Sequence, residues 1–242
     1  MSWKDEFPKE NRYFETENGI LYYGDCLEIM KNFSKESIDL VLTDPPYIIQ
    51  YKTNRRKNKE HKFCSPITND NNPKLIEEFI EQVSKLLKPN TAFYSFGNWK
   101  TADFFKKEIE NFFRLKNIII WVKNNWTAGD LKAQYGQQYE IIFYANKGRR
   151  YIKGKRLSDV WFFNRVSGKK QKHQNEKPIE LIAQILNKSS NENDLVLDPF
   201  LGSGTTALAC ERLNRRWIGI EINGEYCDII KQRVATAKEL LL

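Results

Sequence analysis

The nine residues from Asp198 to Thr206, DPFLGSGTT, constrain the fold of this chain more than any other stretch. An apolar run, Leu195 to Leu197, leads into them, and a helical pattern, Ala207 to Cys210, follows. A strand that turns through glycines into a helix is how an α/β protein offers backbone N–H groups to a nucleotide-like ligand. Gly202 and Gly204 lack a Cβ, so the chain can turn sharply there and a ligand can approach the backbone. Gly202-x-Gly204-x-x-Ala207 fits the general dinucleotide pattern. Glu221, closing a second apolar run from Trp217 to Ile220, stands where a ribose-binding acid is expected. Read alone, the stretch leaves open a site for NAD, a site for another nucleotide-like cofactor, or a tight turn of small packing residues. Its place near the C-terminus is odd, because such a turn usually opens a domain.

The rest of the chain alternates strands and helices. Strand patterns fall at Gly19–Tyr23, Ile38–Thr43, Thr91–Phe96, Ile118–Val122 and Tyr139–Ala145, then at the two runs around the glycine turn. Helical spacing is found at Cys26–Phe33 with Asp25 as its cap, from Pro73 to Leu87, from about Trp99 to Phe112, and from Asn175 to Asn187. It returns after Thr206 and again at the end, where Tyr226, Ile229, Ile230, Val234 and Ala237 share a face. This pattern predicts one α/β domain over residues 1–242, with a doubly wound, mostly parallel sheet and helices on both faces. Residues 1–18 are polar and predict a loosely held arm.

Charge and cysteine usage narrow the function. The net charge is +8, which favours a polyanionic partner. Two basic segments carry much of it. Residues 48–73 form a long loop with Arg55, Arg56 and Lys57. Residues 146–172 break the alternation and hold Arg149, Arg150, Lys153, Lys155, Arg156, Lys169 and Lys170 among Tyr151, Trp161, Phe162 and Phe163. Basic residues interleaved with aromatics suit a nucleic-acid-facing segment. The four cysteines show no C-x-x-C pairing and the two histidines are not spaced as ligands, so neither a metal site nor a disulfide framework is expected. A reducing cytoplasm is the expected compartment. The acidic, aromatic N-terminus is no secretory signal, and no apolar run is as long as a membrane span.

A second motif narrows the chemistry. Asp44-Pro45-Pro46-Tyr47 ends the Ile38–Thr43 run, and its two prolines make a stiff loop at the carboxyl end of a strand, where open α/β sheets hold ligands. With DPPY first, a basic segment next and DPFLGSGTT last, residues 19–240 resemble the amino-methyltransferases of DNA. The order is that of the family's β group, a permuted arrangement that accounts for the late glycine turn. The resemblance implies a seven-stranded, Rossmann-like sheet and S-adenosylmethionine as cofactor. It implies methylation of the exocyclic N6 amine of a flipped adenine in a short DNA site, within a restriction-modification setting. It assigns catalysis to Asp44, Pro45, Pro46 and Tyr47. It assigns the cofactor to Asp25, Cys26, Asp44, Lys177, Asp198, Pro199, Phe200, Gly202, Ser203, Gly204, Thr205, Thr206, Glu221 and Ile222. Lys177-Pro178 is similar to the end of the family's H-P-x-Q-K-P, although the first proline and the glutamine are missing after His173. Residues 146–172 take the part of a target-recognition insert, and a homodimer is compatible with the family. The strand before Asp198 should lie beside the one before Asp44. Methylation of cytosine N4, of RNA or of a protein amide stays open, as does a non-enzymatic DNA-binding partner subunit.

Overall fold

The computed structural model describes residues 2–49, 71–127, 132–166 and 176–239. In chain order the elements are β1 (Arg12–Glu15), β2 (Gly19–Tyr23), α1 (Cys26–Met30), β3 (Ile38–Thr43), α2 (Pro73–Leu86), β4 (Leu87–Gly97), α3 (Ala102–Glu110), β5 (Arg114–Val122), β6 (Tyr139–Lys147), β7 (Val160–Phe162), α4 (Ile179–Ser189), β8 (Leu195–Asp198), α5 (Thr205–Arg212), β9 (Arg216–Glu221) and α6 (Gly224–Glu239). Among the described residues they build one sheet in the order β1-β2-β9-β8-β3-β4-β6-β5-β7. Five strand pairings are parallel and three are antiparallel.

The apolar runs explain the layering. On β8, Leu195 and Leu197 enter one buried cluster while Val196 enters the other, as alternating side chains on a doubly covered strand must. The first cluster packs under α1, α2 and α3, the second under α4, α5 and α6. Helix α2 starts where Asn72 accepts a hydrogen bond from the Leu75 N–H, with Pro73 in the first turn, and it buries Leu75, Ile76, Phe79, Ile80, Val83 and Leu86.

Two expectations need correction. Among the described residues the sheet has nine strands rather than seven, because β1 and β7 extend its two edges. Nor is the N-terminal segment a loose arm. Phe7 is buried and stacks edge-on against Phe33, with ring centroids 5.1 Å apart. Arg12 donates to the carbonyls of Lys4, Phe7 and Pro8, and β1 pairs with β2. A polar sequence hid this because its order rests on one arginine gathering backbone carbonyls.

Strand direction positions the site. β2, β9, β8, β3 and β4 all run the same way, so Tyr23, Glu221, Asp198, Thr43 and Gly97 end along one edge. β3 and β8 are neighbours, pairing Leu40 with Val196 and Val41 with Leu197. A buried carboxylate fastens their ends. Asp198 accepts hydrogen bonds from Thr43 Oγ1 (2.8 Å) and from Thr206 Oγ1 (2.6 Å). Burial pushes its pKa up to about 6, and the two hydroxyls oppose that rise.

The native state therefore binds this proton more tightly than the unfolded chain does, and the Asp198 contribution to stability falls as pH rises from about 4 to about 6. Thr43→Val removes one donor from the carboxylate. Urea unfolding is expected to show a loss of about 1–3 kcal/mol near pH 8 and a smaller loss near pH 5, where Asp198 is largely protonated.

Candidate active site at the carboxyl edge of the sheet

The turn after β8 forms one half of the site. Gly202 (φ 56°) and Gly204 (φ 82°) lie in the left-handed region, and a Cβ on Gly204 would come within 2.9 Å of the Ile230 side chain. Glu221 accepts from the Gly202 N–H and the Asn223 N–H, each at 2.8 Å, one per carboxylate oxygen. Burial raises its pKa to about 7, with those N–H groups holding it down and the Asp198 charge adding to the rise. Pro199 and Ser203 are buried, and Phe200 packs edge-on against Phe79 at 5.1 Å. Arg233 on α6 braces the turn by donating to the Ser203 carbonyl (2.7 Å) while pairing with Glu176 (2.6 Å). Thr205 Oγ1 is buried with no protein hydrogen-bond partner, a polar atom suited to a ligand in this turn.

On the next strand end, the Gly24 N–H donates to the Glu221 carbonyl at 3.0 Å. That brings Asp25 and Cys26 beside the turn. Asp25 caps α1 through the N–H groups of Leu27 (2.8 Å) and Glu28 (3.3 Å). Cys26 is buried beneath it, its thiol pushed up to about 12 by burial. Ile222 is 44% exposed just past Glu221.

The loop after β3 forms the other half. Pro45 is buried, while Asp44, Pro46 and Tyr47 are half-buried. The Tyr47 hydroxyl donates to Asp44 Oδ1, and Thr101 Oγ1 holds the Tyr47 carbonyl at 2.9 Å. Ile48 follows at φ 60°, an unfavourable conformation for a β-branched residue that costs about 1–3 kcal/mol. Its side chain packs against the first buried cluster, which helps to hold it there.

A buried lysine completes this half. Lys177 Nζ lies 2.6 Å from Asp44 Oδ2, 3.1 Å from Glu140 Oε2 and 3.3 Å from the Tyr47 hydroxyl. It also sits 4.8 Å above the centroid of the Phe96 ring. Burial alone would lower the Lys177 pKa, but Asp44 and Glu140 more than reverse this and raise it, so the ammonium stays charged. Burial would likewise raise Glu140, yet Lys177 and Lys123 hold it below its ordinary value. Glu140, Lys123 and Thr43 are site residues that sequence reading missed. The visible signal for Glu140 was one acid at the start of an otherwise apolar strand, YEIIFYA.

The basic segments fare differently. Arg55, Arg56, Lys57, Lys169, Lys170 and His173 lie outside the described residues. The described part of the insert, residues 146–166, is divided by the sheet. β6 runs antiparallel to β4, with Thr91 opposite Lys147, and so it delivers the chain to the opposite edge. There Arg149, Arg150 and Lys153 line a cavity of about 580 Å³ with Tyr151, Asn90 and Asn191. Arg150 donates to the Ser189 carbonyl, Lys153 to the Ser190 carbonyl, and Lys188 to the carbonyls of Lys153 and Lys155. Arg156 follows these residues before β7 carries the chain back parallel to β5. The structure thus gathers the DPPY loop, Lys177, the glycine turn and Glu221, and it leaves Arg149 to Lys153 a strand's length away.

Comparison with known proteins is consistent with this arrangement. The sequence profile of the DNA methylase family matches residues 38–232. The type II methyltransferase M2.MboI of Moraxella bovis is 31% identical over 91% of this chain and 90% of its own length. The type II methyltransferase M.BamHI of Bacillus amyloliquefaciens is 30% identical over 92% of this chain, which spans 58% of that protein. Among solved structures, the M1.HpyAVI–SAM complex superposes with a TM-score of 0.68 at 31% identity, covering 88% of this chain and 98% of the other.

Replacing Lys177 by glutamine leaves Asp44 and Glu140 facing each other without their shared cation. Chemical unfolding near pH 8 is expected to show a loss of about 3 kcal/mol, and the loss should shrink as pH falls and Glu140 takes up a proton.

Proposed function

This chain belongs to the DNA methylase family, and from that premise we propose that it transfers a methyl group from S-adenosylmethionine to the N6 amine of an adenine turned out of duplex DNA. The observation that carries this reading is the meeting of two loops at adjoining strand ends, the Asp44–Tyr47 loop held by Lys177 and the glycine turn closed by Glu221. The choice of adenine rests on Asp44, since an initial aspartate accompanies adenine in most enzymes that this motif resembles.

The residues of the turn suit the cofactor. Thr205 Oγ1 offers an unengaged buried hydroxyl, and each Glu221 oxygen, holding one N–H, keeps a lone pair for a ribose hydroxyl. Phe200, Gly202, Ser203, Gly204 and Thr206 would line the pocket with Asp198 and Pro199 beneath, and Asp25, Cys26 and Ile222 would border the adenine end. When bound, the cofactor supplies an electrophilic methyl group on a sulfonium.

The chain's own residues do the rest. The lone pair of an exocyclic base nitrogen is delocalised into the ring, so the amine must be oriented to react. Asp44 and the Pro45 carbonyl accept its two N–H bonds and thereby aim the nitrogen. Such positioning is worth several kcal/mol, on the order of 10²-fold or more in rate. Tyr47 stacks on the base, and Pro46 stiffens the loop. Lys177 keeps the Asp44 charge compensated in a half-buried site, and Tyr47 fixes the orientation of the carboxylate. Asp44 is also the acceptor nearest the proton that the methylated amine must lose.

Asp44→Ala is expected to lower kcat by about 10²-fold or more while cofactor binding holds within about twofold. Nucleoside mass spectrometry of DNA treated with the intact chain should show N6-methyladenine. N4-methylcytosine would assign the other amine, and methylation of RNA alone would overturn the DNA reading. Cofactor affinity should rise about tenfold from pH 6 to pH 8 with a midpoint near 7, because Glu221 accepts ribose hydroxyls as a carboxylate. Calorimetric titration of Glu221→Gln should give weaker binding with no such dependence.

A further inference from the structure

Large aromatic side chains stand exposed on the same edge as the active site. Trp99 is 47% exposed, Trp126 66%, Tyr135 98% and Phe162 75%. Exposed apolar surface of this kind, clustered beside a site, marks a contact surface. These residues belong to one connected structure. Between β5 and β6 the described residues 123–127 and 135–138 lie against each other as the arms of a hairpin, with the Lys123 N–H on the Gln138 carbonyl (2.8 Å) and the Thr127 N–H on the Gln137 carbonyl (2.9 Å). Trp99 Nε1 donates to Gln137 Oε1 at 3.3 Å. Phe162 pairs with Val122 at the hairpin's root.

The ring of Trp126 is seated. A Cβ on Gly136 would fall 2.4 Å from its Cδ1 atom, so only glycine lets the indole lie against the opposite arm of the hairpin. The ring is therefore braced yet two-thirds open to solvent. The surface is also joined to the catalytic loop from two sides. Lys123 at the hairpin root pairs with Glu140, which holds Lys177 against Asp44, and Thr101, beside Trp99, holds the Tyr47 carbonyl. The exposed Lys100 and Arg165 border it with positive charge.

Resting on the DNA reading above, we propose that Trp99, Trp126, Tyr135 and Phe162 form the surface on which the bases flanking the extruded nucleotide stack, with Trp126 as its anchor. Flat π-faces accept any base, and cations beside them suit the phosphate backbone. This assigns DNA contact to the two described arms of that hairpin, residues 123–127 and 135–138. The cluster from Arg149 to Lys153 on the far edge has Arg150 and Lys153 already engaged by carbonyls of the fold.

The test is fluorescence anisotropy with an unmethylated duplex that carries a mismatched, readily extruded adenine, across a range of salt. Trp126→Ala is expected to weaken binding about tenfold at every salt concentration while the slope of log affinity against log salt stays unchanged, because stacking releases no counterions. Gly136→Ala should weaken binding by tilting the ring without removing it, and Trp126→Phe should restore most of the affinity. Tyr151→Ala on the opposite edge should bind as wild type does. Wild-type affinity in Trp126→Ala, with melting temperature and cofactor binding intact, would overturn the proposal. So would a loss in Tyr151→Ala equal to that in Trp126→Ala. A wild-type protein that binds cofactor but no duplex would overturn the DNA reading itself, and this proposal with it.

Discussion

The Asp198 carboxylate takes one hydrogen bond from Thr43 on the neighbouring strand and another from Thr206 in the following helix. This joint sets where both loops of the carboxyl edge begin. Thr43 is the last residue of β3, and Asp44 follows it directly, so fixing Thr43 fixes where the DPPY loop begins. Thr206 lies in the first turn of α5, so the same carboxylate sets how the helix leaves the glycine turn. A charged group this deep is costly to bury unless its oxygens are engaged, which is why it binds its proton more tightly than an exposed aspartate. Two motifs more than 150 residues apart in sequence thus share one buried contact.

A second set of contacts runs across the sheet toward its other end. Lys123 comes from the end of β5, Glu140 from the start of β6, and Lys177 from the approach to α4. Together they place a compensated cation on Asp44. The antiparallel course of β6 makes this possible. A strand entering the sheet from the carboxyl edge presents its first residues there, and Glu140 is the second residue of β6. The same reversal carries the following basic residues to the far edge. One change of strand direction therefore supplies an acid to the active site and removes a cluster of cations from it.

The motif residues were legible because their chemistry is local. Paired prolines stiffen a loop and glycines permit left-handed turns whatever surrounds them. The strand runs were legible for the same reason, and β3 and β8 do lie side by side as their motifs imply. Order that is not local is harder to read from the sequence. The N-terminal residues look polar and loose until Arg12 collects three carbonyls. Of the basic segment, the described residues 146–166 are carried by β6 to the far edge and by β7 back again, a path that depends on strand direction and leaves no mark in the local sequence.

An α/β fold with two ligand-facing loops follows from the order of residues alone, because hydrophobic period, proline and glycine act over a few residues. Assembly of the sheet was needed to put Lys177 between Asp44 and Glu140, to bring Thr43 to Asp198, and to set the cations from Arg149 to Lys153 at the far edge. Those outcomes depend on which strands become neighbours and which way each one runs. An apolar run reads the same in either direction, so strand polarity is settled only when the sheet assembles around its buried charges.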